Sequence, residues 1–309
     1  MEKEKQKEEL LLIDANSIIY RAYHALPPLT GPSGRPTGAL YGLASILIKL
    51  LKDGAPLYAA AAFDRPEPTF RKEKYDDYKA TRPPTPDDLI PQLHEAKNML
   101  QKFGIQTLEA PGFEADDILA TLADKFHSEV DKTIILSGDL DTLQLVRGDR
   151  VVAEVPKRGI SETKIYNTQE VFEKYGIKPE QMADYKGLVG DKSDNIPGVP
   201  GIGPKTASNL LQKYKDIETI YKKLEDIHAD SSTLVDKLEQ NKEQAFLSKE
   251  LAVISKEAPT PNKIDELKTN TFLEDRKLHE YLEGLGFKTI LKRIIPDKER
   301  ESSKIGKLF

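Results

Sequence analysis

The chain has 309 residues, 38% of them hydrophobic and 31% charged, enough for two compact units with real cores. It contains no Cys, which excludes disulfides, thiolate metal sites and a cysteine nucleophile. Its net charge of −5 and pI near 5.7 exclude a generally basic surface, so a polyanionic partner must be met by local clusters of Lys and Arg, which occur at 65–82 and 186–215.

The mixed-charge start, Met1 to Glu9, and the short apolar run Leu10 to Ile13 do not make a secretory signal. No apolar run approaches the ~20 residues of a membrane helix, so a cytoplasmic protein without membrane contact is expected. Strands are predicted at Leu10–Asp14, Leu57–Asp64, Ile105–Glu109, Thr133–Asp139 and Val151–Val155. Between them, Leu40, Leu43, Ala44, Leu47 and Leu51 recur at helical spacing, as do Ile90, Leu93, Leu100 and Phe103, and Ile118, Leu119, Leu122 and Phe126. Residues 1–183 therefore read as an α/β unit, a mostly parallel sheet flanked by helices. The segment from Glu67 to Pro91 fits neither pattern, with Pro68, Pro83, Pro84, Pro86 and Pro91 set among charged and aromatic residues. Such a long irregular stretch inside a compact unit is expected to be functional or disordered. Over 184–295 the strand signal disappears and helices are predicted at 204–214, 216–226, 232–254 and 276–293, an all-α unit. Residues 296–309 read as a flexible tail.

Acidic residues cluster where an open α/β sheet binds its ligands, beyond the carboxyl ends of the strands. Three predicted strands end in acid at Asp14, Asp64 and Asp139, the last followed by Asp141. A fourth leads through Pro111-Gly112-Phe113 to Glu114, Asp116 and Asp117, and Asp191 and Asp194 open the helical half. Singly, such acids cap helices and shape turns, and Asp116 and Asp117 also suit a helix N-terminus. Together they repel: two charges ~4 Å apart cost about 4 kcal/mol at an effective dielectric of ~20. A cluster of this kind takes up protons or binds cations. With no His or Cys among them, the acids suit Mg²⁺ or Mn²⁺ and not Zn²⁺. The residues alone thus point to a two-metal phosphodiesterase.

The run GVPGIGPKTA, from Gly198 to Ala207, carries a second chemistry. Gly198, Gly201 and Gly203 let the backbone approach a phosphate, and a helix starting at Pro204 adds its N-terminal dipole. Lys205 and Thr206 stand ready to add side-chain contacts, which bind duplex without reading its sequence. The bland alternative is an ordinary Gly/Pro turn between helices.

The stretches LLLIDANSIIYRAYHAL, AAFDRPEPTFRKEKYDDYKATR, PGFEADDILATLA, ILSGDLDTLQLV and KGLVGDKSDNIPGVPGIGPKTA resemble the 5′-nuclease (flap endonuclease) family, including the 5′-3′ exonuclease domain of bacterial DNA polymerase I. The resemblance implies a PIN-like nuclease core with a helical arch at 67–91, followed by a helix–hairpin–helix DNA-binding domain. It implies that Asp14, Asp64, Glu114 and Asp116 surround one Mg²⁺ ion and that Asp139, Asp141, Asp191 and Asp194 surround a second, with Asp117 assisting and Mn²⁺ able to substitute. Lys79 and Arg82, three apart and on one face of a helical arch, match residues that stabilise charge on the scissile phosphate. Tyr20 matches a position that stacks on an unpaired base, with core packing the alternative, and Arg21 is a candidate phosphate contact. A K⁺ ion at the hairpin is a further implied cofactor. The implied substrate is DNA with a 5′ flap or a 5′ end at a duplex junction, RNA-primed ends included, and the implied use is replication and repair. Leu140 departs from the family, which has a basic residue there; the polymerase domain is absent from this chain. Rival readings are a ribonuclease sharing the acidic core, a DNA-binding module without catalysis, and an acidic metal buffer. None of them accounts for the hairpin, Lys79, Arg82 and the complete acidic set together.

Overall fold

The computed structural model describes residues 8–52, 55–158, 162–269, 273 and 275–294. The tail expected at 296–309 lies outside the described residues. Strands β1 (Glu9–Asp14), β2 (Tyr58–Ala62), β3 (Gln106–Leu108), β4 (Lys132–Leu136), β5 (Val151–Arg158) and β6 (Glu162–Tyr166) form one sheet in the order β3-β2-β1-β4-β5-β6. Neighbours are parallel except β5 and β6. A central parallel strand is covered on both faces, which is why Leu10 to Ile13 of β1 are all apolar. Leu11 and Ile13 join one core and Leu10 and Leu12 the other, and in β2 Ala59 and Ala61 separate from Ala60 and Ala62 in the same way.

The first core lies under α1 (Ala15–Ala25) and α2 (Gly38–Lys52); beyond the short α3 (Phe70–Lys74), α4 (Ile90–Lys102) completes that layer. The opposite face is covered by α5 (Ala115–Phe126). A third core joins the β5–β6 edge to α6 (Thr168–Tyr175), α7 (Met182–Val189), α8 (Pro204–Tyr214), α9 (Ile217–Lys222), α10 (Leu224–Asp230), α11 (Ser232–Gln240) and α12 (Lys242–Ala252). The chain runs outward from β1 through β2 to β3, then returns to place β4 on the other side of β1. The order therefore reverses between β1 and β4, and a crevice opens there at the carboxyl ends of the strands. Among the described residues no helix is long and apolar enough to cross a membrane.

Several expectations are corrected. The strand β6, ETKIY, was not foreseen; it is half exposed at the sheet edge and pairs antiparallel with β5. The helices expected at 216–226 and 232–254 break at Lys223 and Asn241, whose φ values of −115° and −120° leave the helical region. That expected at 276–293 divides into α13 (Arg276–Gly284) and α14 (Lys288–Ile294) around Gly286, which takes φ +81°. These last two helices do not pack in the helical unit: Leu278, Leu282, Phe287, Ile290 and Ile294 join the first core beside α2 and α4. The expected unit 184–295 thus loses its C-terminal part to the sheet. Finally, the segment 67–91 is not a continuous helix. After α3 it turns through Tyr78 to Arg82, with Lys79 at φ +56°, and Pro83, Pro84 and Pro86 prevent helix until α4 begins.

Candidate active site

Asp14 ends β1 and caps α1, accepting from Ser17 N at 3.0 Å, while its other oxygen accepts from Ser137 Oγ at 2.7 Å. Across the crevice, Asp139 follows β4 and accepts from Asp141 N at 3.0 Å, opening a short 3-10 turn. Asp64, beyond β2, accepts from Ala115 N at 2.8 Å and so ties that strand to the start of α5. Glu114 caps α5 and Asp116 lies in its first turn. A cavity of about 480 Å³ is lined by Asp14, Asp64, Glu114, Asp116 and Asp139 together with Tyr20, Lys79 and Arg82. A second, of about 530 Å³, shares Ser17 and Asp139 with the first and is lined by Asp141, Asp191, Lys186 and Leu140. All but Asp194 of the two acidic sets suggested by the sequence accordingly border two adjoining clefts, with Asp139 common to both.

Burial and mutual repulsion strain this cluster. Burial first, and then the charge of Asp64, push the Asp14 carboxyl up to about 7. Burial followed by the charge of Asp139 does the same to Asp141. Asp116 is raised well above the usual range by burial and by Asp14, Asp139 and Asp141, and its Oδ1 is buried with no hydrogen-bond partner. Protein cations are threaded among the acids. Lys79 Nζ lies 2.8 Å from Glu114 Oε1 and 3.9 Å from Asp194 Oδ2, and Arg82 Nη2 lies 2.5 Å from Asp194 Oδ1. Lys186 bridges Asp141 and Asp191, reaching the latter at 2.6 Å. Burial alone would raise Asp191, but this ammonium and hydrogen bonds from Ser193 together outweigh it and hold the carboxyl below its ordinary value. Among the described residues no three His, Asp or Glu side chains form a ready-made cage for an ion. The acids expected to hold metal line clefts and do not form preassembled coordination spheres.

Several assignments change. Asp117 does not face the clefts: it is fully buried and forms a two-pronged pair with Arg71 at 2.7 and 2.9 Å, while also accepting from Glu114 N and Ser255 N. One residue along a helix turns a side chain by about 100°, so Asp116 and Asp117 point to different places. Asp194 is buried behind the site, lining neither cleft, and accepts from Tyr78 Oη at 3.2 Å. Lys79 and Arg82 do share a target, but from a turn and not from one face of a helix. Tyr20 borders the first cavity, its hydroxyl sharing a 2.5 Å hydrogen bond with Thr85 Oγ1. Arg21 does not line it; its guanidinium donates to the Lys157 carbonyl at 3.0 Å. Leu140 packs partly on the third core. Sequence reading missed Arg71, Tyr78 and Lys186 as members of the site. Their signal was present as basic and aromatic residues inside the segment 67–91 and the 186–215 cluster, but nothing in the sequence says that these charges turn inward.

The run from Gly198 to Ala207 forms a hairpin between α7 and α8. Asp191 and Ile196 exchange backbone hydrogen bonds at 2.8 Å, and Val199 N returns to Leu188 O at 2.8 Å. Gly198 has φ +64°, and a Cβ there would lie 2.2 Å from Gly190 N, so only glycine fits. Pro204 starts α8 after Gly203, which leaves the exposed first turn at Lys205 and Thr206 without intrahelical acceptors for its N–H groups. Lys237 Nζ donates to Gly201 O at 3.2 Å and Gln244 Nε2 to Gly198 O at 2.6 Å.

Comparison with known proteins agrees with this fold. Residues 9–176 match the family model for the 5′-3′ exonuclease N-terminal resolvase-like domain, and residues 177–275 match that for the 5′-3′ exonuclease C-terminal SAM fold. A 5′-3′ exonuclease of Aquifex aeolicus is 38% identical over 285 residues, covering 92% of this chain and 94% of that protein. A DNA polymerase I of Caldicellulosiruptor bescii is 42% identical over 288 residues, 93% of this chain; the chain spans only 33% of that polymerase. Two solved structures share the fold: T5 5′-exonuclease with bound zinc (TM-score 0.65, 20% identity, 93% of this chain and 96% of that one) and the catalytic core of Rad2 in complex with DNA substrate (TM-score 0.61, 17% identity, 94% and 93%). With its two halves matched in order over residues 9–275, the chain belongs to the 5′-3′ exonuclease family.

Proposed function

We propose that this nuclease is a structure-specific 5′-3′ exonuclease and flap endonuclease, hydrolysing phosphodiesters at 5′ ends and single-strand/duplex junctions during replication and repair, with RNA-primed ends among its substrates. The observation that carries the reading is the pair of adjoining acidic clefts that share Asp139, the first of them also lined by Lys79 and Arg82. The donor set fits hard divalent ions: it is all oxygen, its members repel one another, and the buried Asp116 Oδ1 lacks a partner. Mg²⁺ would be held by Asp14, Asp64, Glu114 and Asp116 in the first cleft, and by Asp139, Asp141 and Asp191, with Asp194 behind them, in the second. When bound, such ions supply water activation and neutralise charge on the phosphate.

The chain's own residues do the remainder. The hairpin presents backbone N–H groups and Lys205 to one strand of a duplex, fixing its register without reading bases. Tyr20 offers a ring beside the first cavity for an unpaired base. Lys79 and Arg82 move from carboxylate partners to phosphate oxygens, a substitution that keeps both charges paired. A K⁺ ion at the hairpin would compete with Lys237 Nζ for the Gly201 carbonyl.

Cleavage of a 5′-labelled flap in Mg²⁺, Mn²⁺ or EDTA, comparing wild type with Asp139→Asn, tests the reading. Metal-dependent cutting near the junction, abolished by the substitution because it removes the carboxylate common to both clefts, is the expected result. Flap binding without cutting in any metal would instead identify a DNA-binding module. Substituting a 5′ RNA end on the same duplex measures the RNA-primed activity directly.

A further inference from the structure

Arg71 is 2% exposed, and a buried guanidinium is costly unless each donor is met. All five of its N–H groups are accounted for. Nε donates to Leu251 O at 3.0 Å, and Nη2 to Val253 O and Asp117 Oδ1, both at 2.7 Å. Nη1 donates to Asp117 Oδ2 at 2.9 Å and to Glu114 Oε2 at 3.3 Å. Asp117 Oδ2 in turn accepts from Glu114 N at 3.0 Å, so the pair grips Glu114 at both its backbone and its carboxylate. The two carbonyls belong to the C-terminal end of α12 and the residues just after it. The same helix holds the hairpin, through Gln244 to Gly198 O at 2.6 Å and through Ser248 Oγ, which accepts from Gly198 N at 3.0 Å. Around this junction Tyr78, Ala183, Ile196, Leu251 and Ala252 form a small apolar cluster of their own.

The geometry points to Arg71 as a positioning residue: it sets the orientation of the Glu114 carboxylate and fastens it to α12, the helix that also holds the hairpin. The inference rests on the reading of Glu114 as part of an ion-holding cleft. A pair whose only task was stability would need Asp117 and the two carbonyls; committing the fifth donor to Glu114 Oε2, where Tyr78 Oη also donates at 3.1 Å, and the second Asp117 oxygen to its backbone, sets that oxygen opposite the one Lys79 holds. Lysine has no planar fork and cannot serve all these acceptors.

The test uses Arg71→Lys and the double substitution Arg71→Met/Asp117→Leu, which removes the buried pair while keeping apolar volume. Mn²⁺ alone is titrated into DNA-free protein by electron paramagnetic resonance, duplex binding is measured in EDTA, and flap kcat and KM follow. A positioning role predicts Mn²⁺ affinity and kcat each lower by roughly 10–100-fold, with duplex affinity in EDTA and KM within about twofold. In a Glu114→Gln background, Arg71→Lys should produce no further loss of Mn²⁺ affinity, and this double-mutant cycle separates positioning from general damage. Folded variants with wild-type Mn²⁺ affinity, or an undiminished loss in the Glu114→Gln background, overturn the assignment. Wild-type protein that binds no Mn²⁺ would sink the nuclease reading itself, a result distinct from either.

Discussion

Asp116 and Asp117 are neighbours of the same chemical type with opposite fates, which marks how far a residue can be read from sequence. The motif tells that acids are needed after Phe113, and the helix that follows explains both as N-terminal residues. It does not give the phase of α5, which sends Asp116 toward the crevice and Asp117 into the clasp of Arg71. The two should therefore respond differently to loss of charge. Asp117→Asn removes the closer of the two carboxylates on the buried Arg71 guanidinium, leaving Glu114 at 3.3 Å, and breaking such a pair costs about 3–5 kcal/mol. Asp116→Asn removes a carboxylate that has no partner at Oδ1 and is repelled by Asp14, Asp139 and Asp141. The metal-free protein should then become more stable while flap cleavage is lost. Urea unfolding in EDTA reads both effects; a destabilised Asp116→Asn would mean that its carboxylate has a structural partner after all.

At the scale of elements, the strands and most helices were legible because periodicity is a local property of the chain. What escaped was set by contacts from elsewhere or by single backbone positions. The strand β6 has too little apolar alternation to announce itself and exists because β5 offers an edge. The breaks at Lys223 and Asn241 interrupt runs that remain amphipathic on both sides. The hairpin was readable in outline, since Gly198 and Gly201 take the positive φ that the turn requires and a proline suits the start of α8. Its role makes a sharp prediction for Lys205, which is exposed on the first turn of α8. If that ammonium contacts one backbone phosphate, Lys205→Ala lowers the slope of log affinity against log salt by about 0.9 for duplex DNA. Fluorescence anisotropy across a salt series measures the slope, and a change in affinity with the slope intact would remove Lys205 from the phosphate contacts.

For the molecule as a whole, the alternation of strands and helices foretold a parallel sheet, and the acids at strand ends foretold which edge carries the acidic clefts. The reversal of strand order between β1 and β4 made that inference sound, because it gathers Asp14, Asp64 and Asp139 at one crevice. The return of the chain after α12 was not legible, since no local pattern says which surface an amphipathic helix will cover. Residues 254–267 close the α5 face of the sheet, and α13 and α14 close the other beside α2 and α4. Phe287 is 3% exposed and meets the Tyr41 ring edge-on at 5.3 Å between centroids. Its removal leaves a cavity in the core that carries the sheet, far from the hairpin in the third core. Phe287→Ala should cost about 3–5 kcal/mol, read as a lower denaturant midpoint with the slope unchanged. Because α14 closes the nuclease core and not the hairpin unit, duplex binding in EDTA at low temperature should stay at the wild-type value. A small stability loss coupled to weakened duplex binding would instead attach the last two helices, in energetic terms, to the hairpin unit.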